Sequence, residues 1–456
     1  SEELSKEGYR PYGSPVNHDV PMSILAPLSK GVPSFRLLFN PSENPSDLAG
    51  LVPDGALYEI VTYPDNPLKV SFTARVNGLD VKRTYELSPN TYDISLTLEF
   101  TNPTDAPVTL NYALTSAAGI VPEGIEDLRK TLEVQRALLN SDGYHSIEEE
   151  RPDELPENGS FAIFPPEPGK SINWVATSSQ FFAVFLNPDD AVDVKGAFAR
   201  RLTPDRELAA SLPTFKAGML NAEGGVVVSG GQLQPGFTVS HGYKVVTAPK
   251  FLEILEKYTE EEYAKTVKLG FFGILARLIL SLLNGIYFIV RNYGLAIIVL
   301  TLMMQAVLHP LTRKQYVSMH KMQKLQPLLQ EAQKRFKKDQ KKLGEVTMAI
   351  YQRTGVNPLG SCLPLLIQLP IFFALYQAFY SCIELRQATF LWVGDLSGPE
   401  RIPLGFTASL FGMQISTINV LPILMTAIWF VQQSLTPKPT DPNQQMMYKM
   451  MKFMPI

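Results

Sequence analysis

Strict alternation of apolar and polar positions marks the first half of the chain. Tyr92, Ile94, Leu96, Leu98 and Phe100 alternate with Asp93, Ser95, Thr97 and Glu99, the pattern of a strand with one buried face. The Asn-Pro-Thr-Asp-Ala-Pro stretch at 102–107 reads as a turn, and 108–114 returns as the next strand. Asn77-Gly78, between the apolar-rich runs 70–76 and 81–87, predicts a hairpin. Runs at 181–186, 192–198 and 237–246 continue the theme. Many strands with closely spaced turns predict a large antiparallel β-sandwich over residues 1–250, interrupted by one helical patch around 124–137.

Beyond residue 250 the period changes. The stretch 253–268 reads as a charged helical connector. Residues 271–290 are long and apolar enough to span a bilayer, but Arg277, Ser281 and Asn284 fall at i, i+4 and i+7. One polar face on an apolar helix favours a helix lying in the membrane interface, so 251–290 is taken as connector plus interfacial helix. Residues 293–311 form an apolar span closed by Pro310, 359–383 a second, 419–435 a shorter third, and a further one begins within 446–456. Between the first two, Met319, Met322, Leu325, Leu328 and Leu329 recur at helical spacing. A break at 336–339 precedes a second helix marked by Leu343, Val346, Ile350 and Tyr351, ending at Gly355 and Asn357-Pro358. The segment 313–356 is therefore a helical hairpin.

Charge orients these elements. The 456 residues carry 41 basic and 44 acidic side chains, a balance that hides an asymmetry. Residues 1–250 hold 20 basic and 32 acidic side chains, while 251–456 hold 21 and 12. Of 36 prolines, 24 lie in the first 250 residues. A Pro-rich acidic half and an apolar basic half read as a water-soluble domain joined to a membrane domain. Residues 313–353 alone contain eleven Lys/Arg against three Asp/Glu, which retains that loop on the cytoplasmic side. The loop 384–418 is balanced and 436–452 is basic again, so cytoplasm, outside and cytoplasm alternate, and the β domain falls outside. Cys362 and Cys382 lie twenty residues apart, about 30 Å along a helix, too far for a disulfide. The chain starts at Ser1 and ends within an apolar segment. An exported domain needs an export signal or anchor, and none is visible, so both ends are expected to continue.

No catalytic constellation is visible. Five histidines, His18, His145, His241, His309 and His320, are scattered without metal-ligand spacing, and no nucleophile elbow or phosphate loop occurs; an enzyme and a cofactor are not expected. The informative polar residues lie inside the first span, where Thr301, Gln305 and Thr312 share a face beside His309. A polar side chain at bilayer depth needs a partner or water. Two readings stand: a hydrated groove, or interhelical hydrogen bonds that glue a bundle. Gln368 and Gln377 in the second span offer the groove a second wall. The basic hairpin, with Lys321, Met322, Lys324, Lys334, Arg335, Lys337 and Lys338, is either a solvated topology signal touching anionic lipid or a docking surface. The partner would be acidic or RNA-rich, such as a ribosome, or an emerging apolar segment.

At this point the motifs resemble a family. Asn292-Tyr293-Gly294, His309-Pro310-Leu311-Thr312, the run Gln315 to Met322, Leu325-Gln326-Pro327 and Asn357-Pro358-Leu359-Gly360 are similar, in order, to the bacterial YidC/Oxa family of membrane-protein insertases. So are the run Cys362 to Phe372, Glu384-Leu385-Arg386-Gln387-Ala388, Asp395-Leu396-Ser397 and Asp441-Pro442. The resemblance is dense over 290–456 and rests on layout alone before that. It implies a periplasmic β-supersandwich and a five-helix inner-membrane core behind an N-terminal anchor helix, of which this chain lacks the anchor and the last helices. It implies partners, too: nascent membrane proteins, the bilayer, the ribosome and the Sec translocon, with no small-molecule substrate. Thr301, Gln305 and Gln368 become groove residues, and Leu369, Pro370 and Phe372 part of an apolar slide for a client helix. The family carries an arginine where the spacing to His309-Pro310 here gives Gln305, which puts attraction of acidic client tails by charge in question. Two rival classes remain. A transporter would show internal repeats and ionisable groups in its spans; a membrane-anchored carbohydrate module would need Glu123, Glu126 or Asp127 paired in a pocket.

Overall fold

The computed structural model describes residues 34–39, 52–53, 55–117, 120, 132–140, 143, 145–157, 160–202, 221–336, 339–355, 363–400, 402–410 and 413–435. The chain divides into two compact units, 1–267 and 268–456.

The first unit is built of antiparallel sheets. Nine strands pair in the order Glu59–Thr62, Lys69–Val76, Leu79–Leu87, Asp93–Thr101, Thr238–Pro249, Phe182–Pro188, Lys170–Ser178, Glu133–Asn140 and His145–Glu150. Six more pair as Phe161–Phe164, Val194–Leu202, Asn221–Leu233, Val108–Thr115, Leu37–Phe39 and Val52–Pro53. The alternation at 92–100 is realised with Leu96, Leu98 and Phe100 all buried. At the predicted hairpin Asn77 and Gly78 take φ of 51° and 80°, the left-handed pair that a two-residue turn requires. The sheets meet where Gly224 faces Val134 and Val175; a methyl group at Gly224 would run into Val134. The buried carboxylate of Glu223 is paired with Arg36 at 3.1 Å and with Arg200.

Two expectations fail in this unit. The helical patch around 124–137 is a strand over its described part: Glu133–Asn140 pairs with both Lys170–Ser178 and His145–Glu150. Cross-strand pairing and burial of Val134, Ala137 and Leu138 override the helical propensity of a Glu-, Gln- and Leu-rich run. Nor is 253–268 one helical connector. Only α1, Leu252–Leu255, and a 3-10 turn, Tyr263–Thr266, are helical there. Tyr263 is buried and stacks on Phe185 at 4.0 Å, the Trp174 indole donates to the Glu261 carbonyl at 2.8 Å, and Lys244 pairs with Glu261 at 2.7 Å. Docking these rings and charges onto the sheet bends the backbone, with Glu262 left-handed at φ 54°.

The second unit holds α2, Gly273–Val290; α3, Tyr293–Arg335; α4, Gln340–Thr354; α5, Leu363–Ser381; and α6, Val420–Leu435. Helix α3 does not stop at Pro310. It continues for 43 residues through Pro310 and Pro327, about 65 Å, roughly twice the hydrocarbon thickness of a bilayer. Each proline forfeits one backbone hydrogen bond, which a long helix tolerates where neighbouring turns stay intact. The predicted break does occur, between Arg335 and Gln340, and α4 closes on Gly355 at φ 64°. Asp339 caps α4 by accepting from the Lys342 amide at 3.1 Å. The stretch read as the loop 384–418 contains an antiparallel hairpin, Ile402–Leu410 with Met413–Ile418. The Glu400 carboxylate receives the Val420 and Leu421 amides at 2.8 and 2.9 Å, capping α6.

Polar contacts fix the helices of this unit to one another. Asn292 caps α3, accepting from the Leu295 amide at 3.0 Å, and donates to the Thr389 carbonyl at 3.3 Å. Gly294 lies against the Phe390 ring so closely that a methyl group would overlap it. Tyr287 stacks on Tyr293 at 3.9 Å, joining α2 to α3. Asp395 organises the following loop, its Oδ1 accepting from the Gln387 and Ser397 amides and the Ser397 hydroxyl at 2.7–2.9 Å. Glu384 joins α2 to the end of α5: it accepts from the Asn284 amide at 3.1 Å and from the Cys382 thiol at 3.2 Å. The Gln377 amide and the Ser381 hydroxyl both donate to the Lys268 carbonyl, Ser381 at 2.9 Å.

Two expected outcomes follow from this packing. His241 is buried beside Tyr112, whose hydroxyl lies 2.5 Å from its Nδ1 and 2.6 Å from the Tyr243 hydroxyl. Burial holds the imidazole below its ordinary value of 6.5, so the unfolded chain binds the proton more readily. The His241 contribution to stability is therefore complete above pH 6.5 and declines as pH falls below it. Urea unfolding of the whole protein will show that decline, and His241→Gln will flatten it. Separately, Glu384→Ala strands the Asn284 amide and weakens the α2–α5 joint by about 1–3 kcal/mol. A lower Tm in detergent, restored in part by Glu384→Gln, is the expected result.

Candidate functional site

Helices α3 and α5 enclose a groove of about 180 Å³. From α3 it is lined by Thr301, Met304, Gln305, Leu308, Leu311 and Thr312, and from α5 by Ile367, Gln368, Ile371, Phe372 and Leu375. The spacing explains the lining. Positions 301, 304, 305, 308, 311 and 312 follow the i, i+3, i+4 rule for one helix face, and 367, 368, 371, 372 and 375 repeat it on the facing helix. The walls are thus apolar with four polar side chains set among them: Thr301, Gln305, Thr312 and Gln368.

The four polar groups are not equivalent. The Thr301 hydroxyl donates to the Ile297 carbonyl and the Thr312 hydroxyl to the Leu308 carbonyl, each at 2.7 Å. Both threonines thereby satisfy their donors within their own helix. Among the described residues no hydrogen bond engages the amide of Gln305 or Gln368. Each retains two N–H donors and one carbonyl acceptor. No ionisable side chain occurs among the lining residues; Arg313 and Lys314, both exposed, follow directly after Thr312.

The other predicted residues fall in different places. Phe372 lines the groove and is 59% exposed, but Leu369, 40% exposed, and Pro370 do not line it. Gln377 is committed to the Lys268 carbonyl instead. On the hairpin formed by the end of α3 and α4, Lys321, Lys324, Lys334 and Arg335 are exposed. Lys337, Lys338 and the Met322 side chain lie outside the described residues, as do Cys362, Glu123, Glu126 and Asp127. Leu325 is buried, whereas Leu328 of the same stripe is half exposed. Sequence reasoning missed Met304, Leu308, Leu311, Ile367, Ile371 and Leu375. A signal was available for Met304, Leu308 and Ile371, which stand three positions after Thr301, Gln305 and Gln368. No cluster able to hold a metal ion occurs among the described residues.

Among the described residues, two helical segments are long and apolar enough to cross a membrane by length and composition, Gly273–Val290 and Tyr293–Lys314; a shorter apolar stretch runs from Val420 to Gln432. On α2 the buried face is Ala276, Ile279, Leu280, Leu283 and Ile286, against α3 and α5. The opposite face exposes Ile274, Leu278, Phe288 and Ile289 together with Arg277 and Ser281, and Phe271 just before the helix is exposed as well. Of the polar triplet on this helix, only Asn284 turns inward, to Glu384.

Comparison with known proteins is consistent from residue 54 onward. Residues 54–282 match the YidC periplasmic domain and residues 285–456 match the 60Kd inner membrane protein family. A membrane protein insertase YidC from Pelobacter propionicus is 40% identical over 226 residues, 49% of this chain and 40% of that protein. One from Geobacter metallireducens is 40% identical over 225 residues, 49% of this chain and 38% of that protein. A third, from Citrifermentans bemidjiense, is 31% identical over 417 residues, 89% of this chain and 68% of that protein. The matched regions thus amount to about two fifths of the first two relatives. Among solved structures, a GalM/aldose epimerase homologue from C. elegans shares 11% identity, with a TM-score of 0.28, over 42% of this chain and 68% of that one, too slight a likeness to bear on function. Two family matches laid end to end, and a relative aligned over most of both sequences, lead to one conclusion: the chain belongs to the YidC family of membrane protein insertases.

Proposed function

We propose that this chain is the client-handling part of a membrane protein insertase that works without covalent chemistry. The observation that carries the reading is the groove between α3 and α5, apolar in its walls yet furnished with Thr301, Gln305, Thr312 and Gln368. An unsatisfied backbone polar group costs several kcal/mol in hydrocarbon. A groove that offers hydrogen bonds part-way across lowers that cost for the polar flank of a client. The apolar part of the client then leaves along α5 past Phe372 into lipid.

In this reading the membrane-embedded unit lies in the bacterial inner membrane as a multi-pass core. The β unit is a periplasmic supersandwich, and the hairpin of α3 and α4 is cytoplasmic. The net charge of 313–353, eleven basic against three acidic residues, supports that orientation. Exposed Lys321, Lys324, Lys334 and Arg335 suit a ribosome or the acidic flank of an emerging chain, and Met322, Lys337 and Lys338 belong to the same segment. The Sec translocon is the natural neighbour for clients too large to insert by this route alone. Helix α2, with its exposed Phe271, Ile274, Phe288 and Ile289, braces the core at the outer interface.

Site-specific photo-crosslinking tests the groove. A crosslinking residue at Gln305 or Phe372 of the full-length protein is expected to capture a ribosome-stalled single-span client, and one at exposed Leu278 on α2 to capture lipid. Client captured at Leu278 but at neither groove position would overturn the reading.

A further inference from the structure

We infer that this groove recognises the peptide backbone of a client's polar flank through the paired amides of Gln305 and Gln368, and so accepts acidic, neutral and basic flanks alike. The inference rests on the insertase reading above and adds the class of client.

Three observations carry it. First, among the described residues the lining contains no ionisable side chain; at short range these walls therefore neither attract nor repel a charged flank, and they hold no fixed charge that would need a counter-charge in low dielectric. Second, the two threonine hydroxyls donate to carbonyls of their own helix at 2.7 Å. That leaves them to accept only, and the side-chain donors of the groove are the two amides. Third, Gln305 and Gln368 sit on opposite walls, one on α3 and one on α5, and neither is engaged among the described residues. A primary amide presents the N–H and C=O groups of a peptide bond. Two of them across a narrow apolar slot match a segment passing through in extended form, whose own N–H and C=O groups have lost their water. A guanidinium in the same slot would offer five donors and no acceptor. It would satisfy carboxylates and carbonyls but leave client N–H groups unanswered. The amides answer both.

A charge-blind groove shifts selection elsewhere. Discrimination by flank charge would then come from the membrane potential, which acts on any translocated charge. The groove itself would select on whether the flank is unfolded and narrow enough to enter about 180 Å³.

The test compares three single-span clients that differ only in a short translocated flank, acidic, neutral or basic. Insertion is measured by protease protection in phosphatidylcholine vesicles carrying the full-length protein and no membrane potential, so that neither surface charge nor voltage biases the result. The unchanged protein is expected to insert all three within about twofold of one another. Gln305→Arg is expected to favour the acidic over the basic flank by about fivefold or more. Gln305→Leu with Gln368→Leu is expected to lower all three together, by about thirtyfold or more, as two uncompensated backbone groups would cost. Thermal unfolding of each variant in detergent separates loss of fold from loss of recognition. Acidic flanks inserted tenfold better than neutral ones by the unchanged protein would overturn the inference and leave the insertase reading standing. A double leucine variant that folds and inserts all three at the original rate would overturn it as well. Insertion of none of the three by the unchanged protein would overturn the insertase reading itself.

Discussion

In the membrane-embedded unit, a polar group among apolar neighbours must find a partner, because water is not there to supply one. Most of the architecture described for residues 268–456 is an answer to that constraint. Thr301 and Thr312 fold their hydroxyls onto their own helix. Asn284 is met by Glu384, the Lys268 carbonyl by Gln377 and Ser381, and the first amides of α6 by Glu400. The side chain of Asn292 closes the start of α3 and ties it to Thr389. Apart from the two threonines, these contacts satisfy a donor and, in the same step, set the position of one helix against a neighbour or a loop.

Against that background Gln305 and Gln368 stand out, since they face a shared groove with their amides uncommitted. A pair of glutamines that served only to glue α3 to α5 would bond to each other or to a facing carbonyl. The sequence left two readings open, glue or groove, and the uncommitted amides are what the proposed groove reading rests on.

The motifs that carry the family resemblance also acquire physical meanings. Asn292-Tyr293-Gly294 combines a helix cap, a ring stacked on Tyr287 and a glycine that lets Phe390 approach. In Glu384-Leu385-Arg386-Gln387-Ala388, Glu384 bridges α2 and α5 while Leu385 and Arg386 are buried beneath it. Asp395-Leu396-Ser397 is a turn held by one carboxylate oxygen with three donors. The first two segments lie at the ends of α2, α3 and α5, where helices are joined.

What the sequence by itself determined is the local part: strands from period-two alternation at 92–100, the turn at Asn77-Gly78, the hairpin break between Arg335 and Gln340, and the candidate groove residues Thr301, Gln305 and Gln368. Each depends on neighbours a few positions away, and periodicity and turn chemistry report on those directly. What only the tertiary structure decided is every outcome in which distant contacts outweighed local preference. Residues 133–137 became strand because two partner strands and a buried face were waiting for them. The connector bent because Tyr263 and Glu261 docked on Phe185, Trp174 and Lys244. Helix α3 ran on through Pro310, where the helical turns on either side outweigh the cost of an interior proline. The commitment of Gln377 to a backbone carbonyl and the freedom of Gln305 and Gln368 have the same origin: which partner a side chain meets depends on the packing of whole helices, and that is a property of the fold.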